Sequence, residues 1–423
     1  MPTDAILIEA AAGETRVAFV EQDRLVELLI ERAAEPRTVG NVYLGRVEKV
    51  VPALQAAFVD VGLPRAGFLE LAGARLSEGD AVVVQVVRDA RDEKGPKLTS
   101  RISLPGDASA VAAAREAIAH ERRHTSPPAR LWADLALVRR TLRDRAEEGA
   151  REIVIDDADA FAGAKAFAER TIPGLADRLA LHRGAKGLLE TYAIEEQIDA
   201  ALAAAVPLPS GGRLTIEETT ALVAVDVDPA GAEERGSGRP AKEATARATN
   251  REAARELARQ IRLRNLGGLI AVDFVPMRGK DARGEILDIL RRAGESDPVG
   301  FDVGGFTRMG LVEMTRRKEG DTLLRALTIP HPMGGGTGRI KSPLTLAHEA
   351  LRHALARARE RPGARISVRA PASVIQALAD VAAPARADVE SRLGFRLGLV
   401  ADDALAPDRV EVRAQMEKAG AKA

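Results

Sequence analysis

The spacing of apolar and polar residues changes character several times along the chain, and each change marks a candidate boundary. Residues 4–30 alternate closely enough for a hairpin, with Glu14-Thr-Arg-Val-Ala-Phe-Val20 as one strand and Arg24-Leu-Val-Glu-Leu-Leu-Ile30 as the next. This hairpin is expected at the edge of a larger sheet. From Val39 to Leu104 come short β-rich runs broken by Gly and Pro, including Gly40-Asn-Val-Tyr-Leu-Gly45, Ala56-Ala-Phe-Val-Asp60 and Ala81-Val-Val-Val-Gln-Val-Val87. Regular short strands with turn signals predict a small barrel. Residues 108–125 are rich in Ala, Arg and Glu at helical spacing and end before Pro127-Pro128. Residues 129–207 then alternate strand-like segments such as Glu152-Ile-Val-Ile-Asp156 with helical ones, an α/β pattern. If the first hairpin belongs to that sheet, the barrel is an insertion into it.

Pro207-Leu-Pro-Ser-Gly-Gly212 opens a third unit with two strands of unusual form. They read Thr220-Ala-Leu-Val-Ala-Val-Asp226-Val-Asp228 and Gly268-Leu-Ile-Ala-Val-Asp273-Phe274, each apolar run ending in a carboxylate. Runs of this kind fit strands covered on both faces, so the acids must lie at an edge or cleft where water or a cation offsets their charge. Between them, Pro229 to Pro240 reads as a mobile loop and Thr249 to Arg264 as a helix stopped by Gly267-Gly268. Pro330 to Pro343, with Gly334-Gly-Gly-Thr-Gly338, reads as a linker to a small α/β domain, and no internal repeat is present. The expected division is therefore 1–38 with 105–206, a barrel at 39–104, 207–329, a linker at 330–343, and 344–423.

Composition narrows the chemistry. A chain of 423 residues exceeds a single core and predicts several subdomains. Lys plus Arg and Asp plus Glu each total 62, so a polyanion must be held by local patches and not by a global field. Without cysteine there are no disulfides, thiolate zinc sites or thiol nucleophiles. Met1-Pro-Thr-Asp4 carries no signal pattern and no apolar run reaches the roughly 18 residues a membrane helix needs, which predicts a soluble cytoplasmic protein.

Asp226 and Asp273 are the candidate ligands for Mg²⁺, which prefers oxygen donors and keeps several waters. Arg262, Arg264, Arg308 and the run Arg316-Arg317-Lys318 offer cations for phosphate near those carboxylates. Caps and turns account for many strand-end aspartates, and a basic run can simply solvate a helix face. The barrel brings Phe58 and Phe68 together with Tyr43, Lys49, Lys94 and Lys97, a set suited to stacking bases and following a backbone; core packing explains the rings equally well at this level. Gly334–Gly338 lacks the Lys-Ser/Thr ending of a phosphate loop, His348 and His353 lack neighbouring ligands, and no serine lies in a nucleophile elbow.

Taken in order, several segments resemble the catalytic half of the bacterial ribonuclease E/G family. Gly40-Asn-Val-Tyr-Leu-Gly-Arg-Val47, Ala56-Ala-Phe-Val-Asp60 and Gly67-Phe-Leu69 resemble its OB-type RNA-binding barrel. Leu208-Pro-Ser-Gly-Gly212, Ala221-Leu-Val-Ala-Val-Asp226, Thr249-Asn250, Arg262-Leu-Arg-Asn-Leu-Gly-Gly268, Val272-Asp273-Phe274 and Gly310-Leu-Val-Glu-Met-Thr-Arg316 resemble its catalytic core. The resemblance implies an α/β protein with an RNase H-like subdomain interrupted by the barrel, a DNase I-like catalytic subdomain and a small C-terminal domain. It also implies a Mg²⁺-dependent endoribonuclease acting on single-stranded RNA in RNA processing or decay. Asp226, Asp273 and Asp228 would be the catalytic carboxylates, the first two holding the metal, and Phe58, Phe68, Lys94, Lys97, Arg308 and Arg316 would contact RNA. The alternative is an RNA-binding or ribosome-assembly factor with an impaired active site.

The departures from the family pattern are specific. Asp228 stands where an Asn is usual, adding charge that tightens metal binding but opposes an approaching phosphate. Thr220 stands where a Glu is common. The stretch matching a Cys-Pro-x-Cys zinc link is His331-Pro-Met-Gly334, so no zinc-linked dimer is expected and the oligomeric state is left open. Arg140-Thr141 imitates the Arg-Thr pair that reads a 5′-monophosphate, but its surroundings match a later family segment. The sensor stretch after Leu104-Pro-Gly106 is missing, and cleavage is expected not to depend on the 5′-phosphate.

Overall fold

The computed structural model describes residues 4–90, 93–145, 149–229, 239–332 and 334–416. The chain forms two compact units, Met1–Ala34 with Glu147–Ala423, and Glu35–Ala146.

In the first unit, Ala5–Glu9, Glu14–Glu21 and Arg24–Arg32 form an antiparallel meander. Gln22 and Asp23 both take positive φ at the second turn, the conformation that matches strand twist in a two-residue hairpin. Glu152–Ile155 joins Ala5–Glu9 in parallel, and Leu179–Leu181 extends the sheet beyond it. The expected hairpin is thus one side of a five-stranded sheet. Ile6, Leu7 and Ile8 are all fully buried, so this central strand is covered on both faces.

A second sheet runs, in spatial order, Ala205–Pro207, Arg213–Glu218, Val223–Asp228, Gly268–Asp273, Val312–Arg316 and Phe301–Phe306. Helices Arg239–Leu263 and Lys280–Ser296 cover one face, with Ala253, Ala254, Leu257, Ile261, Ile286 and Leu290 buried on Val225, Val272, Val312 and Met314. The first of these helices begins ten residues before the expected Thr249, because Ala-Lys-Glu-Ala-Thr-Ala-Arg-Ala at 241–248 consists mainly of good helix formers. Residues 230–238, most of the expected mobile loop, lie outside the described residues.

In the last segment, helix Pro343–Glu360 packs with helices Ala372–Ala379 and Ala383–Leu393 on the three-stranded sheet of Gly398–Ala401, Arg365–Ala370 and Glu411–Gln415. Ser342 caps the long helix by accepting from the Thr345 amide at 3.1 Å. The expected linker is a short ladder of Thr328–Pro330 with Arg339–Lys341.

Helix Pro343–Glu360 is tied to the first sheet by buried charge. Arg352 and Arg32 reach Glu14 at 2.6 and 2.7 Å, Arg16 bridges Glu9 and Glu195, and His348 Nδ1 bonds the Ala12 carbonyl at 2.8 Å. Burial opposes ionisation of Glu14, but Arg352 and Arg32 overcome it and hold its carboxyl down to about 2. Asp156, which follows the strand paired with Ala5–Glu9, is pushed up to about 6 by burial and by neighbouring Glu9. Its folded state therefore binds a proton more tightly than the unfolded chain, a contribution present below about pH 4 and lost as pH rises through 6. Asn at this position keeps the acceptor for the Ala10 amide, now at 2.8 Å, without the charge. Asp156→Asn is expected to stabilise the fold by about 1–3 kcal/mol at pH 8 with the gain vanishing near pH 4. Urea unfolding across that range checks it, and a pH-independent difference would contradict it.

In the second unit Ala56–Asp60, Gly67–Glu70, Lys97–Thr99, Ala81–Arg88 and Val42–Val51 pair in that order, and Val42–Val51 pairs back to Ala56–Asp60. Five strands thus close into a barrel filled by Val47, Ala57, Val59, Leu69, Val84, Val86 and Leu98. Helix Ala108–His124 then leads to a sixth strand, Ala129–Trp132, beside Val42–Val51. This strand lies beyond the barrel end expected at Leu104, because four residues, Ala-Arg-Leu-Trp, are too few to show an alternation.

Candidate active site

Strands Val223–Asp228 and Gly268–Asp273 pair in parallel with Asp226 directly opposite Asp273. Adjacent strands lie about 4.8 Å apart, and residues in register project from the same face. Val223 and Val225 face the helices with their partners Ile270 and Val272, while both aspartates emerge exposed on the opposite side. Thr215 lies opposite Asp226 on the next strand, so Thr215, Asp226 and Asp273 form one row across three strands. Ala224 and Ala271 make up the neighbouring row, and their small side chains leave the space beside the carboxylates open.

Local devices fix the second of these strands at both ends. It starts at Gly268, whose φ of +91° few other residues adopt readily. Just past Asp273, the buried Asn250 donates to the Val275 carbonyl at 2.8 Å and accepts from its amide at 3.1 Å. In the sequence Asn250 stands only within the Thr249-Asn250 match, and its helix position facing the strand end gives it this role.

The barrel supplies a second surface, within its own unit. Phe58 and Phe68 are a cross-strand pair with ring centroids 5.9 Å apart, edge to face. Both are half-buried, while their strand neighbours Ala57, Val59 and Leu69 fill the interior. The rings therefore lie on the outer wall and not in the packed interior. Lys49 lies opposite Phe58, and Lys97 opposite Phe68. Lys97 bonds Glu70 at 2.7 Å, and Lys94 is exposed.

A profile of the Ribonuclease E/G family matches residues 96–319, just over half of the chain. Ribonuclease G of Haemophilus influenzae is 31% identical, the match covering 82% of this chain and 86% of that protein. Ribonuclease G of Escherichia coli K12 is 29% identical over 93% and 96% respectively. The chain belongs to the ribonuclease E/G family. Ribonuclease E of Haemophilus influenzae is 30% identical over 80% of this chain but only 44% of its own length.

For this ribonuclease E/G family member, the structure sorts the expected cations sharply. Arg316 is not available to RNA: it is 5% exposed, and its guanidinium bonds Asp297 at 3.2 Å, the Leu266 carbonyl at 3.0 Å and Asn265 at 3.0 Å. Strand direction explains why the expected RNA contact fails. Arg316 is opposite Gly268, the far end of the Asp273 strand, so the run 316–318 starts about 17 Å from the aspartates. Arg264 is buried against Gln260 and the Ala203 carbonyl, and Arg262 pairs with Glu27 at 2.8 Å and Glu21 at 3.3 Å. Arg308 is exposed in the Thr307–Leu311 turn, before Val312, and Val312 pairs with Val272; it is therefore at the aspartates' end of the sheet.

Asp228 is on the same face as Asp226, bonded to Arg213 at 2.8 Å. Of the segment matching the zinc link, Met333 lies outside the described residues. Arg140 bonds the Leu135 carbonyl and Thr141 is buried. Concavities of about 470 and 390 Å³ lie along the Thr328–Lys341 segment, not at Asp226 and Asp273. An open sheet face suits a polymer better than a small molecule, which needs enclosure. Among the described residues, no group of three or more His, Asp or Glu side chains is arranged to hold a metal, and no helix is long and apolar enough to cross a membrane.

Arg316→Ala should lower unfolding free energy by about 3 kcal/mol, because it strands buried Asp297. Arg308→Ala should change it by less than about 0.5 kcal/mol. Denaturant titration of both separates the buried structural arginine from the exposed one, and equal effects would refute the assignment.

Proposed function

We propose that this family member is a Mg²⁺-dependent endoribonuclease that cleaves single-stranded RNA. The observation that carries the reading is the register of Asp226 with Asp273: two exposed carboxylates side by side on a rigid sheet. Their donor set fits the ion, since Mg²⁺ takes oxygen ligands and is commonly held by one or two carboxylates with water completing its shell. When bound, the ion supplies water activation and offsets charge on the phosphoryl oxygens.

The remaining work falls to the chain's own side chains. The two strands fix the separation of the carboxylates, and the Asn250 clamp holds the Asp273 strand end. Arg308, exposed at the same end of the sheet, supplies a positive charge toward the RNA backbone. On the barrel, Phe58 and Phe68 offer edges and faces to successive bases, and Lys49, Lys94 and Lys97 follow the phosphates. Arg316 has no part in this.

The finer architecture belongs to the same reading. The spatial order Leu179–Leu181, Glu152–Ile155, Ala5–Glu9, Glu14–Glu21, Arg24–Arg32, which in chain order is three antiparallel strands and then two parallel ones, supports an RNase H-like subdomain with the barrel inserted after Arg32. The six-stranded sheet with its two helices supports a DNase I-like subdomain at 207–329. A role in RNA processing or decay in the cytoplasm, 5′-phosphate independence and the lack of a zinc-linked dimer complete the proposal.

Asp226→Asn and Asp273→Asn should each reduce cleavage of a fluorogenic single-stranded oligoribonucleotide at least about 100-fold. RNA affinity, measured by anisotropy in chelator, should hold or improve. Phe58→Ala should do the reverse, weakening affinity by about 5-fold to 100-fold. Undiminished cleavage by Asp273→Asn would overturn the proposal.

A further inference from the structure

Three carboxylates, Asp226, Asp228 and Asp273, emerge on the open face of the catalytic sheet within two residues along one strand and one strand spacing across. If all three faced a bound divalent cation, the local charge would be negative and would repel a phosphodiester. Asp228 is answered differently from the other two. In the antiparallel ladder it lies opposite Arg213, whose Nε donates to Asp228 Oδ2 at 2.8 Å. The row formed by this pair adjoins the row of Thr215, Asp226 and Asp273, about 6.6 Å along the strand.

Arg213 is presented by a firmly held turn. Leu208 and Gly212 close it with a 2.8 Å backbone bond, Gly211 takes a φ of +89°, and Glu252 of the long helix accepts from the Ser210 amide at 2.9 Å. The ion pair is exposed, with side chains 63% and 42% accessible, so it contributes little to holding the sheet together. Its consequence is local: it removes one negative charge from the field at the aspartates and places guanidinium N–H groups on the face where a phosphate must approach.

We propose that Arg213 is a positioning residue for RNA cleavage, cancelling the charge of Asp228 and keeping that carboxylate in an ion pair and out of the metal's shell. The inference rests on the nuclease reading of Asp226 and Asp273. It makes Asp228 half of a neutral unit and reduces the metal-facing carboxylates to two. Two charges about 7 Å apart interact strongly enough, at the effective dielectric of a protein surface, to change affinity by about an order of magnitude.

The test is a double-substitution cycle on the full chain, Arg213→Ser, Asp228→Asn and both together. Affinity for a single-stranded oligoribonucleotide is measured in chelator by anisotropy, and Mg²⁺-dependent cleavage by steady-state kinetics. Arg213→Ser should weaken RNA binding about tenfold at low ionic strength and raise KM more than it lowers kcat, with the defect shrinking as salt is added. Asp228→Asn should tighten binding several-fold, and the double variant should return to within about twofold of the unaltered protein. Thermal unfolding should be unchanged in all three, which separates this role from a structural one. A double variant as impaired as Arg213→Ser, or an Arg213→Ser protein binding and cutting normally, would overturn the inference while leaving the nuclease reading intact. An unaltered protein with no Mg²⁺-dependent cleavage would instead remove the reading beneath it.

Discussion

Parallel pairing of Val223–Asp228 with Gly268–Asp273 controls everything that the site can do. Side chains alternate along a strand, so a slip of one residue would send one aspartate into the helix-covered core and break the pair. Burial prevents that slip: the rows Val223 with Ile270 and Val225 with Val272 are locked beneath Leu257, Ile261, Ile286 and Leu290. The same apolar packing that builds the sheet therefore sets the separation of the two carboxylates. Gly268 at one end and Asn250 at the other keep the strand from drifting along its axis.

Charge on the molecule is arranged locally, as expected of a chain with 62 acidic and 62 basic residues. Many of the arginines are spent on structure. Arg32 and Arg352 join the first sheet to helix Pro343–Glu360, Arg16 ties that sheet to Glu195, and Arg316 fastens Asp297 and the Leu266 carbonyl beside the six-stranded sheet. Cations exposed near the aspartates include Arg308 at the strand ends and Arg213 beside Asp228, and lysines surround Phe58 and Phe68 on the barrel. An open sheet face without enclosure admits a strand passing across it.

Much of this was legible in the sequence, for physical reasons. The barrel announced itself through short strands between turn residues, and the paired strands Val223–Asp228 and Gly268–Asp273 through apolar runs that end in carboxylates. The pairing of Asp226 with Asp273 followed from two parallel strands joined by one helical crossover. Arg316 was misread because proximity in sequence to a strand says nothing about which end of the sheet a residue occupies; antiparallel pairing with Gly268–Asp273 carried it away from the aspartates. Ala129–Trp132 escaped notice because its pairing depends on a distant partner, and Arg213 because a lone arginine after a glycine turn has no local signature. Asn250 stood in a quoted motif, yet its function depends on a backbone 25 residues away.

The central claim is that one hard cation is shared by Asp226 and Asp273. Its most direct test is titration of the protein with Mn²⁺ in place of Mg²⁺, followed by electron paramagnetic resonance. The account predicts one Mn²⁺ per chain that Mg²⁺ displaces, and loss of that ion in either Asp226→Asn or Asp273→Asn. Equal Mn²⁺ binding by the unaltered protein and both variants would contradict it.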